Sequence, residues 1–245
     1  MRHFIINGRC MLFGIMTLMF LLIIALGYCN QNLIINNKSM EARVNMVREN
    51  KNYVKIENID KKFLKSMIAI EDHRFYNHGA LDFISIARAT LNNIKARKVV
   101  EGGSTITQQL AKNLYLSNER SFKRKFKESL FAIQLERQYT KDEILELYVN
   151  SISFGDGYVG IGEAAKGYFG KDVNSLSFDE ATLLAGLPQA PSLYALSRDN
   201  GLAKKRQKQV INALERYNKE VETEFVSIVQ VKKYTEGFNG VGPSL

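Results

Sequence analysis

Two acids and one polar helix mouth in this chain of 245 residues have the types and spacing for chemistry. In "VVEGGSTITQQLAKNLYL", Val99 to Leu116, two glycines run into hydroxyl and amide side chains and then a lysine. Gly102 and Gly103 permit backbone shapes that other residues resist, and Thr105 with Gln108 three residues later has the pattern of a capping box, so the spacing predicts a helix start. Ile106, Leu110 and Leu114 recur every four residues and predict its buried side, while Thr105, Gln108, Gln109 and Lys112 fall together on another face. The free N–H groups and dipole of a helix N-terminus favour an anion; Lys112, and Arg120 in the following loop, add full charges. On this stretch alone two readings stay open, a capped surface helix with a polar outer face and a diphosphate site.

The acids are Glu71 and Glu128. In "DKKFLKSMIAIED" the apolar stripe of Leu64, Met67 and Ile68 ends in Glu71, where loss of water and the negative end of a helix dipole make a carboxylate a better base. An exposed helix-terminal acid is the alternative. Winding "SFKRKFKESLFAIQLERQY" at about 100° per residue puts Phe122, Phe126, Leu130 and Ile133 on one apolar arc and Phe131, Ala132 and Leu135 on a second. Glu128 falls inside the second arc. An acid there needs a partner, for which Arg124 and Lys125 are at hand, or a task, such as facing Glu71 across a cleft as the paired carboxylates of glycosyl chemistry do.

Around these groups the chain has an ordinary globular composition, 45% hydrophobic, with an uncharged run from Cys10 to Tyr28 added at one end. That run reaches the roughly 30 Å of a bilayer core and predicts one transmembrane helix over 10–28. Arg2 and Arg9 precede it and no charge follows until Lys38, so residues 1–9 are expected in the cytoplasm and the rest outside. No small-x-small site closes the run, which argues for an anchor over a cleaved leader, and bulky Tyr28 before Cys29 argues against a lipoprotein. Both cysteines lie in or beside the span, leaving none for a disulfide outside. The net charge of +9 and pI of about 9.4, with basic clusters at Phe122–Lys127 and Ala203–Lys208, suit anionic head groups or a phosphorylated lipid; an exterior domain rarely meets nucleic acid, so none is expected.

Residues 29–57 are polar and read as a stalk or linker, 58–219 as the working domain, and 220–245 as a tail of unplaced role. Capping boxes at Thr140 to Glu143 and Ser177 to Glu180 predict helix starts, the second helix closing on Gly186. Only "VETEFVSIVQVKKY" in the tail alternates like a strand. The expected class is mainly α.

Five runs in order, "EDHRFYNHGALD", "GGSTITQQLAKN", "RKFKESLFAIQLE", "ILELYVNSISFGDGYVGIGEAAKGYFGK" and "EATLLAGLPQAPSLY", cover about Phe63 to Tyr194. On them the chain closely resembles the peptidoglycan glycosyltransferases of family 51 in their monofunctional, membrane-anchored form. The resemblance implies a lysozyme-like helical transglycosylase domain with a membrane-proximal jaw lobe. It implies polymerisation of lipid II into β-1,4-linked glycan, with inversion and release of undecaprenyl diphosphate, by a single-pass protein of the bacterial cell membrane. Mapped by motif, Glu71 looks like the base and Glu128 like the second acid near the departing diphosphate. Ser104, Thr105, Gln108, Gln109, Lys112, Asn113, Arg120 and Lys127 look like substrate-binding residues. A divalent cation, Mg or Mn, bridging the diphosphate near Glu128 is expected from the substrate's side, since no His/Asp cluster advertises a cage built by the protein; His73 and His78 are expected to be structural. No organic cofactor is expected.

Two departures stand beside this. "ALSRD" follows "APSLY" where the family usually turns at Asn-Pro, and the tail from Val221 has no match. Neither Ser-x-x-Lys nor Lys-Thr-Gly occurs, so cross-linking is left to separate transpeptidases. A lysozyme-type hydrolase and a non-catalytic scaffold are the competing classes. The first has little use for Lys112 and Arg120 at a helix mouth, and retention of both acids and both cations argues against the second.

Overall fold

The computed structural model describes residues 37–98, 102–115, 122–198 and 201–238, and these are mainly helical. The predicted span at 10–28, both cysteines and Arg120 lie outside the described residues. Among the described residues no helix is long and apolar enough to cross a membrane.

The chain divides into two units, Met1–Glu49 and Asn50–Leu245. The described part of the first is one helix, α1 (Asn37–Arg48). The second carries α2 (Lys61–Glu71), α3 (Phe83–Ala96), α4 (Ile106–Tyr115), α5 (Phe122–Gln138) and α6 (Lys141–Ser151). A two-stranded antiparallel ribbon follows, β1 (Ser153–Gly155) with β2 (Tyr158–Val159), and then α7 (Ile161–Phe169), α8 (Phe178–Gly186), α9 (Pro191–Tyr194) and α10 (Gly201–Phe238).

Local chemistry starts these helices. Asp60 caps α2 by accepting from the Lys62 N–H at 2.7 Å, and Asp82 caps α3 by accepting from the Ile84 and Ser85 N–H groups. Both predicted capping boxes are present, Thr140 with Glu143 on α6 and Ser177 with Glu180 on α8, and α8 ends at Gly186. Packing then makes two groups: α4 lies against α5 and α6, and α2 against α8 and α10. Phe63, Met67, Ile106, Leu110, Leu135, Ile144, Leu147 and Tyr148 are fully buried between such faces.

Three readings need correction. Residues 50–57, read as the end of a stalk, are bound along α6 and α7. Asn52 donates to Glu163 at 2.9 Å, the Val54 N–H to Asn150 at 2.9 Å and the Ile56 N–H to Glu146 at 2.7 Å. The fit is close enough that a Cβ on Gly162 would lie 2.2 Å from the Asn52 carbonyl oxygen. The tail is not a strand, because α10 runs unbroken from Gly201 to Phe238. A helix already nucleated and packed extends at one hydrogen bond per residue, which outweighs a two-residue alternation with no sheet to join. On α5 the first apolar arc is not fully covered, Phe126 being 41% exposed. The departure at "ALSRD" is accommodated by Asp156 in the ribbon turn, which accepts from the N–H and hydroxyl of Ser197.

Candidate active site

Glu71 ends α2, and the elements around it arrive from far along the chain. Gln109 of α4 donates from Nε2 to Glu71 Oε2 at 3.0 Å, and Arg206 of α10 sets Nη2 3.4 Å from Oε1. Arg206 is itself buried, and its stem crosses α8 at Gly186, where a Cβ would meet its Cγ at 2.9 Å. Its other terminal nitrogen donates to Gln209 at 3.0 Å, while Nε is buried with no partner among the described residues.

Arg206 also lines a cavity of about 670 Å³ between α2, α3 and α10. Arg88 and Arg216 share its wall with His73, Asn92, Tyr217 and Glu220. The floor is the packing of Ala69 and Ile70 on Ala213. Burial, helped by the Arg88 charge, lowers the pKa of His73, so a neutral imidazole faces the Arg88 guanidinium at 3.3 Å. The sequence reading missed this cavity: Arg88 and Arg206 belong to charge patterns indistinguishable from solvated helix faces, and only packing turns them inward.

The polar mouth of α4 divides into two kinds of residue. Thr105 and Gln108 form the reciprocal capping box that their spacing suggests, with Thr105 N–H to Gln108 Oε1 and Gln108 N–H to Thr105 Oγ1 both at 3.1 Å. Both side chains are buried, and their remaining groups bond to the Ala80 carbonyl and the Ser129 hydroxyl. They shape the mouth and have little left to offer a ligand. Lys112 and Asn113 stand exposed on α4, Lys127 stands exposed on α5, and half-buried Ser104 accepts from Lys125 Nζ at 2.7 Å.

Glu128 is 2% exposed, as its place on an apolar arc predicts. It has partners: Arg124 at 2.9 Å on one oxygen and Lys125 on the other. A buried carboxylate between two cations holds both of them, and one, Lys125, reaches Ser104 at the α4 mouth.

A further cluster lies just behind Glu71. Donor atoms of Asp72, His78 and Asp82 come within 4.8 Å of one another, so the His/Asp cluster that the sequence does not advertise is assembled by the fold. Its oxygens are committed. Asp72 takes the His78 ring at 2.7 Å and the Ile106 N–H at 3.0 Å, which ties the end of α2 to the start of α4. Asp82 takes the α3 N-terminus, the Ser85 hydroxyl and Arg74. His78 faces the Asp72 carboxylate with one ring nitrogen and the Gly79 carbonyl with the other, and only the doubly protonated ring donates to both. Burial works to lower the His78 pKa, but Asp72 and the Gly79 carbonyl outweigh it and raise it.

Comparison with known proteins agrees with the motifs. The profile of the Transglycosylase family matches residues 37–215. Penicillin-binding protein 1A of Aquifex aeolicus is 50% identical over 142 residues, 58% of this chain and 20% of the relative. Penicillin-binding protein 1A of Neisseria flavescens is 47% identical over 164 residues, 67% and 21% of the two chains. Penicillin-binding protein 2D of Bacillus subtilis is 43% identical over 168 residues, 69% and 24%. The chain thus spans about a fifth to a quarter of the length of these relatives. Because the profile runs through every one of the five motif runs and over most of the chain, the protein belongs to the transglycosylase family.

Proposed function

We propose that this chain is a peptidoglycan glycosyltransferase that polymerises lipid II into β-1,4-linked glycan and releases undecaprenyl diphosphate. The observation that carries the reading is one carboxylate, Glu71, with an oxygen toward the arginine-lined cavity and the other toward α4, at whose mouth Lys125 reaches Ser104. In this reading the acceptor's 4-hydroxyl oxygen attacks the donor's anomeric carbon, its proton passes to Glu71, and the bond to the diphosphate breaks on the opposite face with inversion. The leaving diphosphate carries away the electron pair. Lys112, Arg120 and Lys127, with Arg124 and Lys125 held in place by Glu128, meet its charge. The cavity, with Arg88, Arg206 and Arg216 on its wall, suits the phosphates of the acceptor chain.

No step runs through a metal. Both Glu128 oxygens already meet cations, so this residue is poorly suited to a divalent ion, and Mg or Mn would be held chiefly by the diphosphate itself. The partners in this reading are lipid II, the growing strand, the membrane and separate transpeptidases. It would act outside the cell membrane from a single N-terminal span. The exposed face of α3, with Phe83, Ile84, Leu91 and Ile94 each more than half exposed and Lys95, Arg97 and Lys98 at its end, fits a jaw lobe laid against lipid.

The test is incubation of the detergent-solubilised chain with labelled lipid II and a divalent cation. Polymer from the wild type, none from Glu71→Gln and a loss of about 10²-fold or more with Lys112→Ala are expected. Polymer from Glu71→Gln at the wild-type rate would remove the base.

A further inference from the structure

Glu71 depends on Gln109 for the position of one oxygen, and Gln109 cannot supply that position by itself. A side-chain amide has a donor end and an acceptor end; the acceptor-only carboxylate takes the donor end, and the amide plane is held there only if its oxygen also finds a donor. Here that is Tyr148 of α6, whose hydroxyl donates to Gln109 Oε1 at 2.9 Å. Tyr148 is fully buried. Burial first, and then the charges of Glu71 and Asp72, raise its pKa well above the ordinary phenol value, so the hydroxyl keeps its proton and remains a donor. With the NH2 group facing Glu71 at 3.0 Å, Oε1 faces Tyr148, and the two bonds together fix the amide plane against the carboxylate. The reversed amide would set its oxygen against the carboxylate and strand the phenol proton.

We propose that Tyr148 is a positioning residue for glycosyl transfer, orienting the Glu71 carboxylate through the Gln109 amide. The proposal rests on the reading of Glu71 as the base. Gln109 on Oε2 and Arg206 on Oε1 leave each oxygen one further lone-pair site, and the angle at which an incoming hydroxyl meets them is set by this tether. Tyr148 is not among the cavity residues, so it acts on the chemical step and not on affinity.

Tyr148→Phe keeps the ring and removes only the donor. In the full chain, with folding checked by circular dichroism, it is expected to lower kcat about tenfold with KM changed less than about twofold, as loss of orientation does. On a Gln109→Ala background the same substitution is expected to cost nothing further, because the tether is already cut. An unchanged kcat per folded molecule, or a full second tenfold loss on that background, would overturn the proposal. The side-chain amide resonances of Gln109, assigned by their absence in Gln109→Ala, give a readout that needs no polymer. They are expected to move in Tyr148→Phe, and unmoved resonances would refute the tether whatever the wild type synthesises. Moved resonances in a wild type that makes no polymer would overturn the role in transfer and locate the failure in the functional reading.

Discussion

At the scale of single residues, Glu128 illustrates how a buried acid can serve a site by what it holds. Its side chain is 3% exposed, against 19% for Arg124 and 44% for Lys125. Removing the acid would leave both cations without it, whereas removing Lys125 leaves Arg124 on the acid. Lys125→Ala is therefore expected to lower stability by about 1 kcal/mol or less in denaturant unfolding, since that partner is largely solvated. Under the proposed function polymerisation should still fall by about tenfold, because Ser104 loses the cation that would meet the diphosphate. A stability loss of several kcal/mol would mean that the lysine is structural. The burial of Glu128 was legible from its place on an apolar arc; that its partners are Arg124 and Lys125 together was one of the readings left open, and needed coordinates.

At the scale of elements, the tie between α2 and α4 decides whether Glu71 and Gln109 meet. It runs from the His78 ring to Asp72 and on to the Ile106 N–H. The His78 pKa is raised in the folded protein, so the stability this tie contributes is fully present below the unfolded value of 6.5 and is lost as pH rises through the folded value. The difference between wild type and His78→Gln should be about 1–2 kcal/mol near pH 6 and smaller at pH 8.5, measured by urea unfolding across that range. A difference that grows with pH would reverse the assignment. The starts of α2, α4, α6 and α8 were legible because caps are local chemistry. The Asp72, His78 and Asp82 cluster was not, although its members lie within ten residues, because nothing in their spacing says that a loop will fold back to a helix end.

For the whole molecule, the proposed function makes the net charge of +9 and the apolar face of α3 act together on where the chain works. Replacing Leu91 and Ile94, 58% and 68% exposed, with glutamates should lower kcat/KM on lipid II in anionic vesicles by about tenfold or more. The effect should shrink in detergent micelles, and equal losses in both would refute a lipid-facing jaw. Added salt should slow the wild type in vesicles by screening the basic residues. The sequence by itself determined the helical class, the starts of α2, α4, α6 and α8, the buried side of α4 and both candidate acids, because caps and periodicities are written within a few residues of each other. Only the tertiary structure decided that residues 50–57 lie along α6 and α7, that the last helix continues past residue 220, and that Arg206, 135 positions from Glu71, turns inward to meet it. Such contacts depend on how helices of distant sequence pack, and a cationic side chain that will line a cavity looks, in the sequence, like one that will face water.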